Sequence, residues 1–166
     1  MITRALAICL TIVTATACLV ANSQVGRAAA SSPFQPPPGW RHIGQQTGGL
    51  GTWLHQGDSG YAQNVSAQSV VFKGKLADLI AQEVTYIKGT FADVSMNPNR
   101  QTTVCGKHPA TLLSYTFAAA NGTTVVGERV LTMYGSTAYS AAYNRGVDQQ
   151  ADAAAEKSLK SLCGGN

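Results

Sequence analysis

The segment ATLLSYTFAAANGTTVVGERVLTMYG, residues 110–135, constrains the fold more than any other stretch of the chain. Its two strand-like runs flank Asn121-Gly122, a pair that readily adopts the positive φ angles of a tight hairpin turn. Apolar side chains alternate on one face of the first run: Leu113, Tyr115 and Phe117. Another strand-like run, TAYSAAYNR, follows a turn at Gly135-Ser136. The sequence therefore predicts three consecutive antiparallel strands.

Upstream of this hairpin the sequence predicts three more short strands. RHIGQ and GTWLHQ are separated by a Gly-rich turn, and YAQNVSAQSVVF follows them. In the third segment one face of the predicted strand carries Ala62, Asn64, Ser66 and Gln68. The other face carries Tyr61, Gln63, Val65, Ala67, Ser69 and Val71. This alternation is imperfect but strand-like.

The segment GKLADLIAQEVTYIKGTF has the period of an amphipathic helix. Its apolar stripe consists of Leu76, Ile80, Val84, Ile87 and Phe91. Gly89 is a natural place for the helix to stop. The next segment, ADVSMNPNRQTTV, predicts an irregular strand that Asn97-Pro98-Asn99 interrupts, because proline cannot donate to a sheet ladder.

The C-terminal segment DQQADAAAEKSLKSLCGG predicts a second helix. Its apolar stripe consists of Ala151, Ala155, Leu159 and Leu162. Asp148 and Asp152 complement the positive end of the helix dipole, and lysines lie near its negative end. The element order predicts an α+β domain, in which an antiparallel meander sheet is covered by an internal amphipathic helix and a C-terminal helix.

The N-terminus has the pattern of a secretory signal peptide. A basic start, MITR, precedes the apolar run ALAICLTIVTATACLVA, and small residues predict cleavage after Ala30. The same segment could instead anchor the chain in a membrane, or Cys18 could be the lipidated first residue of a lipoprotein. Residues 31–38 predict a Pro-rich linker, and residues 39–166 a single domain.

The charge balance does not favour nucleic acid as a partner. The chain of 166 residues carries 12 Lys and Arg against 8 Asp and Glu, and Arg4 and Arg27 lie within the signal peptide. Basic runs and basic residues interleaved with aromatic ones are lacking from the sequence. We expect no membrane span after signal cleavage. The ligand, the protein partner and the oligomeric state stay open.

Two cysteines, Cys105 and Cys163, follow the signal peptide. In an oxidising compartment a disulfide is the simplest outcome, and closing a loop of this size is worth about 4 kcal/mol. It would join the last helix to the sheet. The alternative is a reactive thiol or half of a metal site, because His108 follows Cys105 in VCGKH. We expect no metal and no cofactor.

The stretch WLHQGDSGYAQN contains Gly-Asp-Ser-Gly, the tetrapeptide around the nucleophile of trypsin-like proteases. That family places its His and Asp before the Ser, whereas residues 31–57 contain no acidic residue here. A triad in another order could combine Ser59 and His108 with Asp93 or Asp148. These residue types also dominate turns, so we predict a hairpin loop at Ser59 and no catalytic residue.

Three residues are candidates for lining a ligand groove: Trp40, Trp53 and Glu128. The two tryptophans could equally fill the edge of the core. Glu128 could face a groove, or it could form an exposed cross-strand pair with a neighbouring cation.

Scattered residues and the element order together resemble the PsbP-like superfamily. They are Pro38-Gly39-Trp40, Trp53, VCGKHPA, the ATLLSYT to GERVLTMYG hairpin, AYSAAYNR and SLKSLC. This fold is shared by the extrinsic photosystem II subunit, a Ran-binding nuclear import protein and exported mycobacterial lipoproteins. The resemblance implies a binding or accessory role without a catalytic centre. We match no partner-binding residue of the photosystem II subunit or of the Ran-binding protein to a position of this sequence.

The combined expectation is a secreted or periplasmic, non-catalytic binding or accessory protein of the cell envelope. One alternative is a small secreted hydrolase that uses Ser59 or Cys105. The other is an accessory lipoprotein tethered to the membrane through Cys18.

Overall fold

The computed structural model describes residues 32–44 and 49–164. The predicted signal peptide, its cleavage site and Cys18 lie outside these residues. Within them, eight strands form one sheet: β1 (Arg41–Gly44), β2 (Gly49–Leu54), β3 (Asn64–Val71), β4 (Ala92–Met96), β5 (Arg100–Val104), β6 (His108–Ala118), β7 (Thr124–Tyr134) and β8 (Thr137–Gly146). Helix α1 (Leu76–Thr90) joins β3 to β4, and α2 (Ala153–Leu159) follows β8. This is the predicted α+β arrangement.

The strands are ordered β1-β2-β3-β8-β7-β6-β4, with β5 also paired to β6, and all these pairings are antiparallel. The predicted β6–β7–β8 meander is confirmed. Strand β3 pairs with β8, so α1 carries the chain across the sheet to the far edge. There β4 and β5 lie end to end along β6, interrupted at residues 97–99 as the proline predicted.

The loop of the β6–β7 hairpin is wider than a two-residue turn. Gly122 adopts a φ of 82°, but Asn121 does not have a positive φ. The loop closes through a bond from the Ala119 amide to the Thr123 carbonyl (2.9 Å). The side chain of Asn121 accepts from the Thr123 amide at 3.1 Å and so stabilises the loop.

The core has one cluster on each face of the sheet. Neighbouring residues Val130 and Leu131 of β7 point to opposite faces. Leu131 packs in a cluster with Ile87 of α1, and Val130 packs in a cluster with Leu159 of α2. Phe34, within the predicted linker, is 1% exposed and joins the α2 cluster, so this part of the linker packs on the sheet.

Helix α1 buries the predicted stripe and one residue that the stripe omitted. Ile87 is fully buried, and the rest of the stripe packs against the same cluster: Leu76, Ile80, Val84 and Phe91. The omitted residue is Leu79, which is 4% exposed. The prediction that Gly89 ends the helix was wrong. The helix continues to Thr90, because the Phe91 amide still donates to the Ile87 carbonyl at 3.1 Å.

Helix α2 is seven residues long, shorter than its sequence pattern suggested. The Asp152 side chain caps it by accepting from the amides of Ala154 (2.7 Å) and Ala155 (3.0 Å). This cap fixes the start of the helix, so Asp148 lies upstream of it, after the end of β8. The expected role of Asp148 at the helix terminus was therefore wrong.

Candidate functional site

The face of the sheet under α1 has an apolar half and a polar half. Its apolar half lies on β6 and β7, where Leu113, Phe117 and Leu131 pack with α1. The polar half lies on β2, β3 and β8 and carries Thr52, Asn64, Ser66, Gln68 and Ser140. A polar groove lies between this half and α1, and we call it the groove below.

The groove has a volume of about 460 Å³. Small-molecule sites in proteins commonly occupy about 300–1,000 Å³. The strand residues named above line it on one side, and α1 contributes Gln82, Glu83 and Tyr86 on the other. Arg129 of β7 also lines it. The groove therefore has the size and the mixed polar lining of a small-ligand site.

Arg129 and Glu83 form an ion pair within the groove. Arg129 Nη1 donates to Glu83 Oε2, and the two side chains are only 11% and 13% exposed. The guanidinium carbon lies 5.7 Å from the centre of the Tyr86 ring, within the range of a cation–π contact. Strand β7 and helix α1 thus hold one charged pair and one aromatic ring together.

Tyr115 lies beside this pair. Its ring covers Gly127, the residue opposite it on β7, where a Cβ atom would lie 2.4 Å from the ring. Burial raises the pKa of the Tyr115 hydroxyl, and the neighbouring Arg129 offsets part of that increase. Among the described residues, Tyr115 Oη and Arg129 Nε have no hydrogen-bond partner. This part of the site is strongly desolvated.

Sequence reasoning considered Glu128 but missed its neighbour Arg129. Because side chains alternate along a strand, Arg129 shares its face with Val125 and Leu131, and Glu128 points to the other face. A signal was present, since Arg129 is the charged residue in an otherwise apolar alternation. Glu83 was missed because a helical carboxylate next to an apolar stripe is usually solvated.

The predicted groove residues lie on the opposite face, under α2. Trp53, Val65, Tyr143 and Glu128 follow one another across four neighbouring strands. Trp53 contacts Phe34, with ring centres 5.2 Å apart.

Trp40, 9% exposed, contacts Tyr143, with ring centres 6.1 Å apart. Both tryptophans therefore pack with the core. Glu128 forms no ion pair among the described residues. That Trp40, Trp53 and Glu128 bind a ligand stays a prediction.

Gly-Asp-Ser-Gly lies in the loop that joins β2 to β3, as predicted. Gly57 and Gly60 adopt φ angles of 90° and 85°. Asp58 closes the loop by accepting from the Gln63 amide at 2.9 Å and contacts His55 Nδ1 at 2.8 Å. Among the described contacts, Ser59 is held through its backbone carbonyl, which accepts from Gln149 at 3.4 Å. His55 and Asp58 therefore stabilise a loop.

The structure separates the members of the other proposed triad. Ser59 precedes the end of β3 that pairs with Asn144. His108 contacts the Met133 carbonyl at 2.8 Å and stacks on Tyr134, at the opposite end of the sheet. The register thus places Ser59 and His108 far apart.

Cys105 and Cys163 form the predicted disulfide. Cys105 directly follows β5, and its amide donates to the Lys160 carbonyl after α2 at 2.9 Å. The bond therefore joins the C-terminal segment to the sheet, and in this state Cys105 has no thiol to act as a nucleophile.

Beside the disulfide lies a second cavity of about 530 Å³, lined in part by Pro36, Pro38 and Lys157.

In residues 32–44 and 49–164, no group of three or more His, Cys, Asp or Glu side chains is placed to hold a metal ion. Over the same residues, no helix is long and apolar enough to cross a membrane.

Fold and groove together define a class: an α+β protein with one antiparallel sheet between two helices and a polar groove under the longer helix. The chain matches no protein-family model and no curated protein. Among solved structures it is similar to PA94, a Pseudomonas aeruginosa protein of unknown function (12% identity, TM-score 0.49), over 58% of this chain and 67% of that one. It is also similar to LpqN, which is involved in cell envelope biogenesis of Mycobacterium tuberculosis (15% identity, TM-score 0.46), over 67% of each chain.

Proposed function

We propose that this chain is an exported, non-catalytic binding or accessory protein of the cell envelope with a PsbP-like fold, and that the groove holds its ligand. The groove itself carries this proposal. Its volume of about 460 Å³ suits a small molecule, and amide, hydroxyl and aromatic side chains line it. The groove supports the role in binding that the sequence resemblance implied.

The lining supports binding better than catalysis. Glu83 is the carboxylate of the groove, and Arg129 holds it in an ion pair. A carboxyl group that acts as a general acid or base must exchange a proton with the substrate, and a carboxylate held in an ion pair is poorly suited to that. The Ser59 loop supports the same proposal, because its His and Asp contact each other and the backbone of the loop.

The disulfide supports export. Such bonds persist in oxidising compartments and are rare in the cytosol. Together with the apolar N-terminal run, the disulfide favours a location outside the cytoplasm.

The intact mass of the exported protein distinguishes a released chain from a chain tethered to the membrane. A released chain begins at Ser31, and a tethered one begins at an acylated Cys18.

The binding proposal is tested by filling the groove. Ser66→Trp places a large side chain on the groove, and Thr103→Trp on the exposed β5 strand is the matched control. Both variants and the wild type are incubated with the small-molecule fraction of an envelope extract and analysed by native mass spectrometry. We expect an adduct on the wild type and on the control, and its loss in Ser66→Trp. An adduct that persists in Ser66→Trp would place binding elsewhere.

The non-catalytic part of the proposal has its own test. The purified protein is treated with a fluorophosphonate probe, which labels activated serines, and digested for peptide mapping. We expect no label on Ser59. Labelling of Ser59 that Ser59→Ala abolishes would overturn this part and support the hydrolase alternative.

A further inference from the structure

We propose that the ligand of the groove is an uncharged, hydroxyl-rich molecule, namely a carbohydrate of one or two sugar rings. This inference rests on the proposed function and specifies its ligand class. It follows from three properties of the lining: its charge balance, its free hydrogen-bonding groups and its aromatic ring.

The groove lining carries no net charge. Its charged residues are Arg129 and Glu83, which neutralise each other in direct contact. A phosphate or carboxylate ligand would have to displace Glu83 from Arg129, and a cation would have to displace Arg129 from Glu83. Removing one partner of a nearly buried pair leaves an uncompensated charge, which is strongly unfavourable. A neutral ligand leaves the pair intact.

The free polar groups of the groove both donate and accept hydrogen bonds. Among the described residues, the side chains of Gln68, Gln82, Ser66 and Ser140 make no hydrogen bond to another protein group. Each amide or hydroxyl combines a donor with an acceptor, as sugar hydroxyls do. Such a lining complements a chain of hydroxyl groups better than an anion, which needs donors alone.

One polar residue of the groove is fixed in advance. Asn64 Nδ2 donates to Tyr61 Oη and the Ala62 carbonyl, both at 3.1 Å, and Asn64 Oδ1 accepts from Asn144 at 3.0 Å. These bonds hold this end of β3 in place. Preorganised polar residues reduce the entropy that binding costs.

Tyr86 supplies an apolar surface at the groove. Tyr86 is 52% exposed, and its ring lies against Arg129 on the α1 side. The C–H groups on the face of a sugar ring pack favourably on an aromatic ring, and the polar lining remains available to the hydroxyls. An exposed tyrosine beside free amides therefore favours a sugar over a purely polar ligand.

The experiment follows side-chain amide signals of the full exported domain by ¹H–¹⁵N NMR. Glucose, maltose and N-acetylglucosamine are titrated separately, with inorganic phosphate as the anionic probe. We expect saturable shifts of the Gln68 and Gln82 amide signals with at least one of the sugars. Tyr86→Ala should weaken this binding at least about tenfold. Gln82→Ala should weaken it too, whereas Gln101→Ala on exposed β5 should leave it unchanged.

The outcomes separate this inference from the proposed function. Saturable shifts of the groove amides with phosphate alone would overturn the sugar class and leave the groove as a binding site. Absence of saturable shifts with all three sugars would overturn the inference as well. An envelope adduct lost in Ser66→Trp would then still support the proposed function. Sugar binding that shifts only signals outside the groove would overturn the assigned site.

Discussion

Arg129 of β7 donates a hydrogen bond to Glu83 of α1, and this contact joins the longer helix to the sheet at the groove. The two residues lie 46 positions apart in the chain and are nearly buried together. The pair therefore affects two properties at once: the stability of the α1 face and the charge of the groove.

Breaking this pair on one side should be more harmful than removing both partners. We expect Arg129→Met to lower the free energy of unfolding by about 2–4 kcal/mol, because it leaves the Glu83 carboxylate nearly buried and unpaired. The double variant Arg129→Met with Glu83→Met should recover a large part of that loss. Urea denaturation of the two single variants and the double variant measures the coupling.

Arg100→Met, at an exposed position of β5, is the matched control and should change stability by less than about 0.5 kcal/mol. A loss in the double variant equal to the sum of the two single-variant losses would show that the pair has no coupling. That result would remove the argument that a neutral ligand is favoured.

The disulfide should contribute a large part of the total stability. It closes a loop with a sequence separation of 58. Loop-closure entropy predicts that the Cys105→Ala, Cys163→Ala double variant loses about 4 kcal/mol. Urea denaturation with and without reductant tests this. The wild type should become less stable on reduction, and the double variant should not respond. A wild type that is indifferent to complete reduction would contradict the prediction.

The fold could be predicted from sequence because its strongest signals are local. Each of these signals depends on residues only a few positions apart in the chain. They are the Asn121-Gly122 turn, the period of α1 and the proline break. The groove depends on a different kind of information. It arises because β3 pairs with β8, which brings Ser66 and Ser140 together under α1, and sequence spacing does not reveal that pairing.

Individual side chains were harder to assign than elements. The polar face of β3 was visible in the alternation of Asn64, Ser66 and Gln68. The sequence did not show that α1 would cover this face. Arg129 was overlooked in favour of Glu128, although its alternation with Val125 and Leu131 was a signal that it lies on an apolar face. Polar residues acquire their role from tertiary contacts, and apolar periodicity does not report those contacts.

The cap of α2 provides a short test of local stability. Asp152 accepts two backbone hydrogen bonds at the start of this helix, so Asp152→Ala should cost about 1 kcal/mol. Asp148→Ala is the matched control, since Asp148 lies in the preceding loop and caps nothing there. Thermal unfolding followed by circular dichroism compares the two. Equal shifts in Tm would contradict the assigned cap.

The buried hydroxyl of Tyr115 should make stability fall at alkaline pH. Burial raises its pKa in the folded protein above the ordinary value of 10.0. Its stabilising contribution is therefore fully present below about pH 10 and is lost above it, because the unfolded chain releases the proton first. Tyr115→Phe should reduce this alkaline loss. Near neutral pH it should cost less than about 1 kcal/mol, because the lost hydroxyl has no hydrogen-bond partner among the described residues.

Urea denaturation between about pH 8 and pH 11 measures this dependence for the wild type and for Tyr115→Phe. Tyr143 has a raised pKa for the same main reason, so part of the alkaline loss should remain in the variant. Tyr86→Phe, which removes an exposed hydroxyl, serves as the control for the substitution itself. Parallel profiles of stability against pH for Tyr115→Phe and the wild type would show that Tyr115 is not desolvated. The Arg129–Glu83 pair beside it would then have a more hydrated environment than the structure describes.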